Sequence, residues 1–519
     1  MNQTSAIKPG VLCLCLLFSV SASQAQKNRI KESALQQYNR GIELGNEARW
    51  EEAIAAYKKA IQISPAFSDA YNNLGNAYGK VGNYQEAIAA YNQAIRIKSD
   101  FPEAYYNLGV AYTSIGRNQE AVEAYDLATK LKPDFAQAHY NLGVAYSNLN
   151  RHQQAIEAYK EAIRVKPDYL DPIYNLGDAY ISLGRWAEAI EAYKQALRIK
   201  PDYGKAYQGL GLAHSNLGHH QEAIEAYTQA IKLKAADGYA YNNLGVALGK
   251  AGRYQEALGS FRQAAQMNPA FAEAHYNLGL EYDRAGRNQE AVEAFKKAIQ
   301  IKPGHAQAHH HLGLAYGKIG DHEQEIAEYK RAVQIDPNYA AAHYDLGVTY
   351  AALNRYQEAI EAYNQAIRVM PGSADAQLGI GFAYYKLGRL QEAMDSYKQA
   401  LQLRPSFAKA HYNLGVAYVD LSHHQEALEA FKQAIQIAPD FAEAHENLGI
   451  AYRALGRWQE AVEAFKQAIR LKPDFANAHF NLGAAYAYLG NKISAAEEVE
   501  ALKRLDQSLA NRLSALIQK

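Results

Sequence analysis

The chain has 519 residues, and its 54 lysines and arginines are matched by 54 aspartates and glutamates. No basic face or polybasic segment stands out, which argues against nucleic-acid binding and against electrostatic attachment to a membrane surface. Only two cysteines occur, and no phosphate loop, dinucleotide fingerprint, zinc-protease helix or Gly-x-Ser-x-Gly turn is present, so the sequence implies neither a cofactor nor an enzyme.

In chain order, Lys8 precedes an apolar run from Val11 to Val20, and small or polar residues follow through Ser23, Gln24, Ala25 and Gln26. That order reads as a secretory signal over residues 1–25, cut after Ala25. The run is too short for a bilayer, which needs roughly 20 apolar residues. Cys13 and Cys15 both fall inside it, so a mature chain would carry no disulfide, reactive thiol or cysteine zinc site. The expectation is an exported protein of bacterial type, periplasmic or extracellular, with no membrane insertion once the signal is removed. Residues 26–33 read as a linker.

From Ala34 a glycine recurs every 34 residues, at Gly41, Gly75, Gly109 and onward to Gly449 and Gly483, giving fourteen units without insertion or deletion through Leu509. A fixed period of this length marks a solenoid of one repeated supersecondary unit. With the glycine as position 8, position 20 is alanine in thirteen units, position 24 is Tyr or Phe in thirteen, and position 27 is alanine in the same thirteen. Position 7 is mostly leucine and position 11 mostly tyrosine. Apolar spacings of three, four and seven predict two amphipathic helices per unit, with the small residues admitting close approach. Position 15 is mostly glycine, with Asn150 and Asn354 as substitutes, where a first helix would end in a left-handed residue. Proline at position 32 in eleven units, from Pro65 to Pro473, stops the second helix. Pro102 and Pro172 fall in first helical turns, which tolerate them. Unit 14 loses its ring at position 24 (Val499), and Leu505, Leu509, Leu513 and Leu516 then predict a one-sided helix over 506–519 that caps the array.

This residue set resembles the tetratricopeptide repeat, with AYNNLGNAY from Ala70 to Tyr78 and QEAIAAYNQA from Gln85 to Ala94 close to its consensus. The resemblance covers residues 34–509 and implies an all-α, right-handed superhelical solenoid of fourteen units plus a C-terminal capping helix. It further implies a concave groove lined by positions 2, 5, 6, 9, 12 and 13, a non-enzymatic protein-interaction scaffold, and partners that are other proteins or extended peptides. Position 6 is asparagine at Asn39, Asn73, Asn107, Asn141, Asn175, Asn243, Asn277, Asn413, Asn447 and Asn481. A side-chain amide matches one peptide group of an extended chain, and a similar ladder lines the repeat domain of O-linked N-acetylglucosamine transferases, whose catalytic part this chain lacks. The same amides also suit a purely structural role between neighbouring units. Tyr106, Tyr140 and Tyr174 at position 5 are candidate apolar anchors with a polar tip. An alternative role is an accessory or targeting subunit of an envelope polysaccharide or glycosyl-transfer machine. A chaperone-tail clamp is disfavoured, because position 5 lacks lysine and position 6 lacks lysine and arginine throughout.

Seven units carry histidine at position 4 (His139, His275, His309, His343, His411, His445, His479), read as packing residues. The run His309–His311 prompts a metal site joining His311 to Asp345, weighed against by the differing faces of adjacent helical residues. Glu325 alone breaks the alanine at position 20, so Glu325→Ala is expected to stabilise unless the acid finds a partner.

Overall fold

Glycine at position 8 and the ring at position 24 set how closely each pair of helices packs. A Cβ on Gly143 would lie 2.4 Å from Cε1 of Tyr159, and one on Gly109 would lie 2.6 Å from Cε1 of Tyr125. The ring therefore rests on bare backbone, and only glycine leaves room for it. Tyr125, Tyr159, Tyr193, Phe295, Phe431 and Phe465 are among the largest fully buried side chains.

The computed structural model describes the backbone of residues 9–518 and the side chains of residues 26–518. Among the described residues the chain is all α-helical, with twenty-nine helices and no strand. After Pro9–Asn46, first helices such as Ser68–Lys80 cover positions 1–13, and second helices such as Tyr84–Ile97 cover positions 17–30. The turn between them has positive φ at position 15 in every unit. Ten units use glycine there, while Ala48, Asn150, Asn354 and Ser422 adopt the same conformation without it. The chain divides into two bodies, Met1–Asn268 and Pro269–Lys519, each a stack of such antiparallel hairpins.

Three expectations change at the ends. Residues 26–33 are not a linker: they continue the helix Pro9–Asn46 into the first unit, and exposed residues such as Ile30 cover that stretch. The cap is shorter, Gln507–Ile517, and begins where the Asp506 carboxylate accepts from the Leu509 amide. Its inner face is Ala510 and Leu513 with Leu509 and Ile517 beside them, whereas Leu505 and Leu516 are exposed. Leu513 takes the place of the missing ring: a Cβ on Gly483 would meet its Cδ2 at 2.3 Å. The side chains of the expected signal, residues 1–25, lie outside the described residues. Among the described residues no helix is long and apolar enough to cross a membrane.

One joint is irregular. Unit 6 has Ala235 where eleven units have proline, its second helix stops early at Lys232, and Lys234 turns into the left-handed region at φ 54°. Asp237 then caps the next helix by accepting from the Ala240 amide at 2.8 Å.

Candidate protein-binding cleft

The ladder asparagines lie on first helices, where position 6 of one unit comes beside position 5 of the unit before it. Asn73 donates to the Tyr38 hydroxyl at 3.0 Å, Asn107 to the Asn72 carbonyl oxygen at 3.0 Å, Asn141 to the Tyr106 hydroxyl at 3.2 Å and Asn175 to the Tyr140 hydroxyl at 3.3 Å. In the second body Asn447 donates to Tyr412 at 3.1 Å. Each amide thus clips its unit to the preceding one. Asn107, Asn141 and Asn175 keep a carbonyl oxygen that no other bond from these clips uses.

The remaining members differ. Asn39, with no complete unit before it, is exposed. Asn243 accepts at 3.5 Å from its neighbour Asn242, and Asn277 and Asn413 are half-buried. Asn481 is only 8% exposed, donating to Glu446 at 3.1 Å and accepting from Arg453 at 3.0 Å, so both ends of its amide are engaged. Burial in the last unit removes it from a ligand face.

The tyrosines at position 5 pack rather than project. Tyr106 lies 5.9 Å from Tyr125 and 4.9 Å from Phe135 between ring centroids; Tyr140 and Tyr174 make matching pairs with Tyr159 and Tyr169, and with Tyr193 and Tyr203. Burial raises the phenol pKa of all three. The hydroxyls of Tyr106 and Tyr140 remain at the clip and accept from the next unit, whereas the unit after Tyr174 offers Gly209 in place of the amide.

All seven histidines at position 4 share a bond that composition did not reveal. The Nε2–H of His139 donates to the carbonyl of Pro133 at 3.0 Å, and His275, His309, His343, His411, His445 and His479 repeat it with the proline six residues earlier. They pin the turn between units. The metal reading is corrected: His310, not His311, meets Asp345 at 2.7 Å, and His311 faces the Gln307 carbonyl and Tyr276. Among the described residues no group of three or more histidine, cysteine or carboxylate side chains is placed to hold a metal. Glu325 has partners too, accepting from Thr349 Oγ1 at 2.8 Å and Tyr329 at 3.3 Å, with His322 Nδ1 at 2.8 Å.

Where these first helices meet in units 1–3, a cleft of about 660 Å³ opens between Asn73, Asn76, Asn107, Trp50, Tyr84 and Tyr106, with Lys80 at its wall. Its size falls in the range of sites that enclose a bulky group. Two features build it. Position 12 is glycine in both units 1 and 2: Trp50 covers Gly45 at 3.3 Å, but nothing lies within 4 Å of a Cβ on Gly79. Position 17 carries Trp50 and Tyr84, which supply aromatic walls. The Asn76 oxygen is held by the Tyr91 hydroxyl at 2.8 Å, which turns its amide N–H groups away from that ring. Reading each position separately missed this site; the coincidence of glycine at 12 with rings at 17 was the available signal.

Family models for the tetratricopeptide repeat match residues 49–82, 383–422 and 451–490, with further matches over 68–101, 408–441 and 430–463. A model for the C-terminal domain of cilia and flagella-associated protein 70 matches twice in overlapping placements, 98–314 and 174–378. None of these models is of a catalytic family. No curated protein matches the chain. Among solved structures, YrrB, described as a TPR protein with an unusual peptide-binding site, is 24% identical over 36% of this chain and 96% of its own, with a TM-score of 0.34. MamA is 32% identical over 32% of this chain and 96% of its own, TM-score 0.31. The Cut9–Hcn1 assembly of the APC/C is 17% identical over 92% and 95%, TM-score 0.38.

Proposed function

The chain belongs to the tetratricopeptide repeat family, and from that premise we propose that it is a non-enzymatic scaffold holding an extended polypeptide segment along its first-helix face. The cleft of units 1–3 carries the reading. Its aromatic walls suit an apolar or aromatic side chain, and the carbonyl oxygen of Asn107 with the amide N–H groups of Asn76 suits the backbone on either side of that side chain. The proposed place of action is outside the cytoplasm, after removal of residues 1–25.

Gly79→Leu tests this directly. The position is helical with open space before it, so leucine fills the cleft without a clash and gains up to about 1 kcal/mol of helix propensity. On an array of random 15-residue peptides probed with residues 26–519, the wild type should select sequences carrying an aromatic or large apolar residue. The variant should lose that selection while unfolding at the same or a higher temperature. Undiminished selection by the variant would rule this cleft out.

A further inference from the structure

In six units a tyrosine at position 11, an arginine at 16 and a glutamate at 19 stand in a row across the turn between the two helices. In unit 5 the Arg185 guanidinium lies 4.7 Å from the Tyr180 ring centroid and bonds Glu188 at 2.8 Å. Unit 6 has His214, His219 and Glu222 at these positions. Its turn is the same: the His219 amide donates to the His214 carbonyl at 2.9 Å, as Arg185 does to Tyr180, and Gly218 is left-handed. That backbone bond sets the two imidazoles side by side, with their Nδ1 atoms 3.4 Å apart.

Three observations point to a cation at this pair. The separation is long for a hydrogen bond, but two nitrogens on one tetrahedral zinc ion stand about 3.3–3.4 Å apart. A cis pair on a square-planar ion of like bond length closes to about 2.9 Å. Next, unit 6 has lost two cations and kept the acids they served. Histidine replaces the arginine beside Glu222, and Thr228 replaces the position-25 lysine that pairs with the glutamate at 22 in units 5, 8, 12 and 13. Glu225 accepts instead from the neutral Gln221 at 3.0 Å. Lys194 is nearby but committed to Glu191 at 3.4 Å, and Lys232 ends the far side of the helix His220–Lys232. Finally, there is room. A cavity of about 840 Å³ opens beside His214, His219, Glu222 and Glu225, whereas the matching troughs of units 12 and 13, walled by Tyr418 and Tyr452, measure about 370 and 390 Å³. Burial holds the His214 pKa below the usual histidine range even with Glu222 near, which leaves a nitrogen lone pair available.

We propose that His214 and His219 chelate one zinc ion through their Nδ1 atoms, with Glu222 as third ligand and a cavity water as the fourth. In the present rotamers only the two imidazoles converge. The glutamate at position 19 reaches the side chain at 16 in eight units, from Arg49–Glu52 to Arg457–Glu460, so Glu222 joins by turning its own side chain. The ion ties the end of one helix to the start of the next, in the unit whose second helix stops early at Lys232.

The probe is zinc chloride, titrated by calorimetry into untagged residues 26–519, which lack both cysteines. One saturable equivalent is expected, and hydrogen exchange of 204–232 should slow when it binds. His214→Tyr/His219→Arg gives unit 6 the residues of six other units, so it should fold at least as well and lose that equivalent. Glu222→Gln should weaken uptake by about tenfold or more, since even a ligand's outer partners matter that much. Unit 12 is the internal comparison: it has His423 and Glu426 but keeps Tyr418, and exchange of 408–437 should not respond to zinc. Absence of a saturable equivalent, an equivalent that survives the double variant, or equal protection of units 6 and 12 overturns the site. Unchanged affinity in Glu222→Gln overturns its carboxylate as a ligand.

Discussion

Replacing Glu325 by alanine, the residue that stands there in thirteen other units, is expected to weaken the second body around units 9 and 10. The carboxylate is 8% exposed and accepts from Thr349 at 2.8 Å, from Tyr329 at 3.3 Å and from His322 at 2.8 Å. Truncation leaves Thr349 its second bond, to the Asp345 carbonyl at 3.0 Å. Tyr329, only 1% exposed, would lose the partner of its hydroxyl, which costs about 1–3 kcal/mol. His322 is solvent-exposed and adds little. Relief of a buried charge offsets part of this, giving a net loss of about 1 kcal/mol. Hydrogen exchange of segments within 306–352 is the suitable assay, because a repeat couples chiefly to its neighbours and a single global midpoint would blur the change. Gly317 supplies an internal control. A Cβ there would lie 2.8 Å from the Glu325 carboxyl carbon, so Gly317→Ala should destabilise alone by about 1–3 kcal/mol and become harmless once residue 325 is alanine. Slower exchange in Glu325→Ala, or additive effects in the double variant, would refute the view of a satisfied buried acid.

Gly143→Ala should cost about 1–3 kcal/mol, since its Cβ would strike the immobile Tyr159 ring; urea unfolding followed by exchange in 136–169 reads this, and an unchanged unit would show that the ring is free to move. The triple variant Asn107→Ala, Asn141→Ala, Asn175→Ala removes three inter-unit clips and should lower stability by about 0.5–1.5 kcal/mol per bond. Peptide affinity that persists in the folded variant would make these amides clips alone. His479 has its pKa raised by the bond from Nδ1 to Glu498 at 2.5 Å, against an opposing effect of burial. Because the folded value exceeds the unfolded one, this stabilisation is fully present below about pH 6.5 and fades as pH rises through the folded value. Protection of 476–505 should therefore fall from pH 6 to pH 8, and Glu498→Gln should abolish the trend. N-terminal sequencing of protein from its native host should begin at Gln26; an intact Met1 on the soluble protein would reject export with cleavage.

The period, the helix pair in each unit and the breaks between helices were legible in the sequence, because they follow from local backbone preference and from spacing within one unit. Proline at 32 and the left-handed residue at 15 act over a few residues, and glycine at position 8 meets a ring of its own unit, as Gly143 meets Tyr159, so composition by position reveals them. Contacts between units were not legible in this way. The clip from Asn141 to Tyr106 and the pin from His139 to Pro133 depend on which neighbours a stack of hairpins brings into register. Glu325 shows the same limit: its position predicts an unpaired buried charge, and only packing places Thr349, twenty-four residues later, against it. The cleft at Gly79 arises where a side chain is missing, and a missing side chain makes space only if no neighbour fills it. Tyr193 moves onto Gly209, whereas nothing moves onto Gly79. Local chemistry determines the repeat, and tertiary packing decides where its face is left open.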